Sequence, residues 1–277
     1  MAARRARTHA LRAATICLVS LAGAACGDRG AKSAGSAAAT APVDGLPRLV
    51  VRPLGDGETI TIDGVLDEPA WKRAELAGPF VNVSTGKPDP SLPGHGTARL
   101  TWDGRFLYVA FTVSEANIVG GFPPDAIDAH LWEKDTIEVM VDPDGDGDNR
   151  DYYEIQVSPQ NLVFDSRFDD YNLPRGGDAG PFGHQDWSAG LTSAVKLDGT
   201  IDDASDRDRG YTVELEIPWR AFIKARRAPP EPGDEWRMNF YAMKDNGGAS
   251  WSPILGQGNF HKASRFGRVT FAAAPRD

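Results

Sequence analysis

Four aspartates stand at every second position in Asp142-Pro143-Asp144-Gly145-Asp146-Gly147-Asp148, and Asp151 follows. Carboxylates at that spacing, with Gly147 where the chain must turn, make the first half of an EF-hand-like loop, whose hard oxygens suit Ca²⁺. The second half fails, since Tyr153 stands where a bidentate Glu belongs. A solvated Asp/Gly hairpin turn is the competing reading. Five unpaired acids within residues 142–151 would repel one another, which favours a cation. Ca²⁺ is the expected cofactor, with Asp142, Asp144, Asp146 and Asp148 as ligands.

A second group of residues could hold a neutral, hydroxyl-rich ring. Over 135–142, 151–158 and 236–243, apolar side chains alternate with polar ones. That period of two puts Glu138 and Met140 on one face of the first segment. It puts Glu154, Gln156 and Ser158 on one face of the second, and Asn239 and Tyr241 on one face of the third. If the three strands are neighbours, these faces form one surface dense in donors and acceptors. The solvated outer face of a sheet reads the same way, and alternation alone favours it. Two loop aromatics shift the balance: Trp132 just before Asp135, and Phe260 in Gly256-Gln257-Gly258-Asn259-Phe260-His261. A sugar ring offers C–H patches to an aromatic face and hydroxyls to planar polar groups, so aromatics beside a polar face supply both contacts.

Two other chemistries can be written on the same face. Glu138 and Glu154 opposed across a hairpin would stand ~5 Å apart, the separation in a retaining glycosidase, yet a catalytic acid needs burial to raise its pKa. Met140 could serve as an axial haem ligand, but no C-x-x-C-H occurs and a lone Met on a strand is usually packing. There is no G-x-S-x-G, and His95, His130, His184 and His261 lack ligand spacing.

The elements that must position these residues are short and extended. Alternation predicts strands at 48–53, 58–62, 97–103, 106–114, 135–142, 151–158, 162–167, 190–196, 211–217, 236–243 and 266–272, separated by Pro/Gly/Asp-rich turns. Helix is confined to two turns. One is capped by Asp67, with Pro69 in its first turn, and runs to about Ala74; the other spans 218–224. About eleven strands and two helical turns predict an antiparallel β-sandwich.

Composition narrows the partners. The formal net charge of the 277 residues is −9, and the four Arg of residues 1–25 leave the remainder more acidic still. Nucleic acid and anionic membrane faces need cationic surface and fit poorly. No apolar run reaches ~18 residues, so no spanning helix is expected. Arg4, Arg5, Arg7 and Arg12 precede an apolar stretch, Ala13–Ala25, and then Cys26: an export signal. Leu21-Ala22-Gly23-Ala24-Ala25-Cys26 resembles a bacterial lipobox, although Gly23 stands where Leu is usual. It predicts lipidation at Cys26 and anchoring to the bacterial cell envelope, on the outer membrane or periplasmic side. Ordinary cleavage after Ala24, giving a soluble periplasmic protein, is the alternative. The expected organisation is a signal peptide over 1–25, a Gly/Ala/Ser-rich tether over 26–46 and one domain over 47–277.

Four blocks then carry a family resemblance. They are Ile62-Asp63-Gly64-Val65-Leu66-Asp67-Glu68-Pro69-Ala70-Trp71, Trp102-Asp103-Gly104-Arg105-Phe106-Leu107-Tyr108-Val109, Leu131-Trp132-Glu133-Lys134-Asp135-Thr136-Ile137-Glu138-Val139 and Phe260-His261-Lys262-Ala263-Ser264-Arg265-Phe266-Gly267. In this order they resemble family 9 carbohydrate-binding modules, over about residues 48–272. The resemblance implies a DOMON-like β-sandwich that binds oligo- or polysaccharide without catalysis and serves beside secreted glycoside hydrolases. It implies a sugar sandwiched by Trp132 and Phe260, the latter smaller than the family's Trp. It also implies a carboxylate at Glu138 and polar contacts at Gln156, Ser158, Tyr241, and Gln257 or Asn259. Gln156 and Ser158 replace an Arg and an Asn, so the platform is kept while its polar fringe is changed. A structural envelope protein with a vestigial site remains as the alternative.

Overall fold

The structure is a computed structural model, and it describes residues 44–92, 94–173 and 179–274. The export signal, Cys26 and the tether as far as residue 43 lie outside the described residues. The tether's expected last residues are already part of the fold: Leu46 is buried, and Asp44 pairs with Arg268 at 2.6 Å.

In chain order the elements are β1 (Arg48–Val51), α1 (Pro69–Arg73), β2 (Leu76–Ala77), β3 (Val81–Asn82), β4 (His95–Trp102), β5 (Phe106–Ser114), β6 (Thr136–Asp142), β7 (Arg150–Val157), β8 (Val163–Asp170), β9 (Thr192–Asp198), β10 (Gly210–Pro218), β11 (Glu235–Lys244), β12 (Gly247–Ser250) and β13 (Gly267–Phe271). Single 3₁₀ turns lie at Leu131–Glu133, Trp219–Ala221 and Ala263–Arg265. One sheet has the order β1-β13-β11-β6-β7-β8, with β12 and β3 extending from β11; the other has the order β2-β4-β5-β10-β9. This is the expected sandwich. Among the strands described, all pairings are antiparallel except β1 with β13.

Alternation builds the core between the sheets. Ile137, Val139 and Val141 of β6, Tyr153, Ile155 and Val157 of β7, and Met238, Phe240 and Ala242 of β11 face Leu107, Val109, Phe111 and Val113 of β5 and Val213, Leu215 and Ile217 of β10. Burying a side chain of this size contributes ~1.5–3 kcal/mol relative to exposure, so the period of two is strongly selected. Trp102, Trp219 and Trp236 close one end of this core edge-to-face around Phe271.

Three local expectations need correction. Residues 58–62 form no strand. Ile60 lies over the outer face of the second sheet against Trp71, Tyr108 and Ala110, away from any ladder edge. The backbone there bonds side chains instead: Thr61 N–H donates to Glu68, and Asp63 and Gly64 N–H both donate to Glu214. Trp71 Nε1 donates to the same Glu214, so the opening motif is a fastening of the fold. Helix α1 is entered through Glu68 with no side-chain cap, not through Asp67. Finally, the turn expected over 218–224 is a 3₁₀ turn confined to Trp219–Ala221, since Pro218 still belongs to β10. Beyond these corrections, the strands β2, β3 and β12 lie outside the expected set, having too few residues to show a period.

Candidate functional site

The sheet order β11-β6-β7 makes the three polar faces neighbours, and the register sets Tyr241, Glu138 and Gln156 in one row across them. This face is not solvated, contrary to what alternation alone favours. Met140, Tyr152, Phe168, Tyr241, Met243, Ile254, Ala263 and Phe266 form a second core there, against which Trp132, Tyr171 and Phe260 pack. The covering loops leave a cleft of 260 Å³ over Glu138, Glu154 and Gln156.

The floor is polar and buried. Gln156 Nε2 donates to Glu138 Oε2 at 2.8 Å and to Glu154 Oε1 at 2.7 Å. Among the described residues, Glu138 Oε1 and Gln156 Oε1 have no partner, although both side chains are buried. Burial, with the charge of Glu154 beside it, holds the Glu138 carboxyl well above the usual carboxylate range. Burial pushes Glu154 up to about 8. His261 shares a hydrogen bond with the Tyr152 hydroxyl at 2.8 Å, and its Nε2 lies 3.8 Å from Glu154. Burial lowers this imidazole to about 3, so it is neutral at ordinary pH.

Aromatic rings make the walls. The 3₁₀ turn Leu131–Glu133 presents Trp132, which stacks on His130 at 4.4 Å and on Phe182 at 5.7 Å and meets the edge of Phe164 at 5.2 Å. Asp245 and Asn246 both have positive φ, the signature of a tight hairpin turn. That turn joins β11 to β12, and Asn246 N–H donates to the Trp132 carbonyl at 2.9 Å. Opposite, Phe260 stands edge-on to Tyr241 at 5.2 Å. The Phe260 loop is held from below. Asn239 bonds both the N–H and the C=O of Ser252, and the Ser252 hydroxyl donates to the Arg265 carbonyl. Trp251 lies against Phe240, where a Cβ on Gly267 would come within 2.3 Å of its ring. The Trp251–Pro253 segment therefore anchors the loop and does not line the cleft.

The structure brings Trp132, Glu138, Gln156, Asn259 and Phe260 to one cleft. Three expected contacts fall elsewhere. Ser158 closes the β7–β8 turn, where its Oγ accepts from Leu162 N–H, because β7 ends one residue earlier. The Tyr241 hydroxyl is occupied beneath the loop, donating to the Phe260 carbonyl at 3.0 Å and accepting from Asn239 at 2.7 Å. Gln257 is exposed at the loop tip, outside the cleft. Glu138 and Glu154 do not oppose each other either. Glu138 pairs with Gln156 and Glu154 with Met140, so the amide stands between the two carboxyls where a glycosidase would have them face to face. Met140 is packed in the second core and does not line the cleft.

Sequence reasoning missed Tyr171, Phe182, Asn246 and His261 as lining residues. Tyr171 stacks on His261 at 4.3 Å and accepts from Asn259 at 2.8 Å. The first three lie in turns without periodicity; His261 is next to Phe260, and that adjacency was the one available signal.

The aspartate loop joins β6 to β7 beyond the cleft. Carboxylate oxygens of Asp142, Asp144 and Asp146 lie within 4.8 Å of one another. Asp142 is buried, accepts from Gly147 N–H at 2.9 Å, and is pushed up to about 8 by burial and by Asp144. A carboxyl so destabilised as an anion, with two others in reach, suits a hard divalent cation. Asp148 is not in this group: it accepts from Arg150 N–H at 2.8 Å and stands 3.8 Å from the Arg150 guanidinium.

Comparison with known proteins gives three findings. The family described as Carbohydrate family 9 binding domain-like matches residues 62–274. Exoglucanase XynX of Acetivibrio thermocellus is 26% identical over 211 residues, 73% of this chain and 16% of that enzyme. The chain thus spans about a sixth of its curated relative's length. A family 9 carbohydrate-binding module from Caldicellulosiruptor kristjanssonii, solved with cellotriose, superposes with a TM-score of 0.53 at 18% identity, covering 83% of this chain and 95% of that one. Its structure with glucose gives the same TM-score and identity, covering 98% of that chain.

Proposed function

We propose a function from one premise: this chain belongs to the carbohydrate family 9 binding domain-like family. The proposed function is non-catalytic binding of an oligo- or polysaccharide, at chain ends of plant-type or cell-wall polymers, in support of carbohydrate catabolism. One observation carries it: Glu138 and Gln156, each with a buried acceptor oxygen that no described residue meets, line a cleft walled by Trp132 and Phe260. Leaving a buried acceptor unpaired costs about 1–3 kcal/mol, which a ligand hydroxyl would recover. The aromatic walls would cover the C–H patches of the ring, and Asn246 and Asn259 would orient hydroxyls at the rim. That solved relatives hold cellotriose and glucose supports the reading. The test is calorimetry with cello-, xylo- and manno-oligosaccharides and a glycan array. Binding of at least one is expected; binding of none would leave a structural role for the domain.

The finer parts of the proposal concern place and cofactor. Cys26 is proposed as a lipid anchor, with the segment to residue 43 as tether, serving beside secreted glycoside hydrolases. Ca²⁺ is proposed at Asp142, Asp144 and Asp146, where it would fasten the β6–β7 hairpin that carries Glu138 and Gln156. Each is tested as described below.

A further inference from the structure

Among the described residues, those lining the cleft include two carboxyl groups and no lysine or arginine. Glu154 has His261 beside it, but burial keeps that imidazole neutral. Of the neighbouring hydroxyls, Tyr152 is engaged with His261 and Tyr241 with Asn239 and the Phe260 carbonyl, while Tyr171 accepts from Asn259. The one amide group between the carboxyls, Gln156 Nε2, is shared by both. Among the described residues, no donor meets Glu138 Oε1 or Gln156 Oε1, and burial keeps the two carboxyls themselves protonated at ordinary pH.

We infer that the cleft selects a sugar with a free amine, its ammonium seated against Glu138, Gln156 and Glu154 and its ring between Trp132 and Phe260. This rests on the sugar-binding reading above and narrows its ligand class. An ammonium carries three donors, where a hydroxyl carries one. Glu138 Oε1 and Gln156 Oε1 supply two matching acceptors that are buried and unpartnered, and Glu154 supplies a third. The positive charge also lets a buried carboxyl ionise: the ammonium takes the place of the carboxyl proton, which is released to solvent. Aromatic faces around the site favour a cation further. Charge-assisted hydrogen bonds are roughly twice as strong as neutral ones, so a preference of about tenfold over the matching neutral sugar is expected.

The experiment is calorimetry on the full chain at pH 6.5 with three β-1,4 disaccharides: glucosamine disaccharide, its N-acetylated form and cellobiose. The amine form should bind about tenfold more tightly than cellobiose, and acetylation should remove the preference. Glu138→Gln should reduce the ratio toward one, with cooperative thermal unfolding as the control for folding. If that variant does not fold, Glu154→Gln and the wild-type ratio decide. Equal binding of cellobiose and the amine form overturns this inference and leaves sugar binding standing, and so does an undiminished preference for the acetylated form. If none of the three binds, and no neutral oligosaccharide or arrayed glycan does, both readings fall.

Discussion

At the scale of single residues, the platform and the floor make separate predictions. Trp132 is half-buried and carries one wall of the cleft, so Trp132→Ala should cost binding ~2 kcal/mol or more, about thirtyfold, with little loss of fold. Calorimetry against whichever oligosaccharide binds the wild type checks this. An unchanged affinity would place the ligand elsewhere. Phe260→Trp enlarges the opposite wall and should tighten binding or leave it unchanged. The floor predicts a pH effect on stability. Burial raises Glu154 to about 8 in the folded protein, far above its ordinary value of 4.5. Between those values the unfolded chain binds fewer protons, so this group's contribution to stability falls as pH rises through that window and levels off above it. Asp142, also raised to about 8, acts in the same direction, so the comparison must be with a variant. Urea unfolding of Glu154→Gln should therefore show a flatter loss of stability between pH 4.5 and 8 than the wild type. Parallel slopes would mean that the carboxyl is ionised at its ordinary pH. Glu138 and Gln156 were legible here because the period of two gave their face. The reach of the Gln156 amide to both carboxyls was not, since register across strands decides it.

At the scale of elements, two fastenings can be tested. The aspartate loop closes β6 onto β7, and a cation held by Asp142, Asp144 and Asp146 would bind the native state alone and stabilise it in proportion to RT ln(1 + [L]/Kd). Added Ca²⁺ should raise the melting temperature and EDTA should lower it, while Asp142→Asn removes the difference. A melting temperature indifferent to both would leave an Asp/Gly turn held by its own N–H donors. The second fastening is Glu214 on β10, which takes the N–H groups of Asp63 and Gly64 and the indole of Trp71. Glu214→Ala strands the buried donors of Gly64 and Trp71 and the partly buried one of Asp63, and about 2–4 kcal/mol of stability should be lost. Denaturant unfolding reads this directly, and a loss below ~1 kcal/mol would show that the segment over Ile60 is held by packing instead. The long strands of both sheets were legible because each buries one face. The irregular path of 58–62 was not, because apolar alternation looks the same whether a segment joins a ladder or lies across a sheet.

For the whole molecule, the proposals on export and anchoring concern residues outside those described. Replacing Cys26 by Ser should move the protein from the membrane to the soluble fraction of fractionated bacterial cells. Wild-type protein found soluble would mean that the leader is cleaved as an ordinary signal. Within the described residues, the sequence by itself determined the β-sandwich, its core and the aromatic pair at the site. The physical cause is burial: the face of a strand that meets the core must be apolar at every second residue, as in Leu107, Val109, Phe111 and Val113, in Ile137, Val139 and Val141, and in Val213, Leu215 and Ile217. Tertiary structure alone decided that the second face of β6, β7 and β11 is covered. The same alternation describes a face open to water and a face roofed by loops, and the roof comes from residues 131–133, from Tyr171, Pro181 and Phe182, and from residues 251–266, far apart in the chain. It also decided which polar groups remain without partners. Hydrogen bonds between loops have no sequence period, and the occupation of Tyr241 and the vacant acceptor on Glu138 follow from how Asn239, Ser252 and Phe260 meet in space.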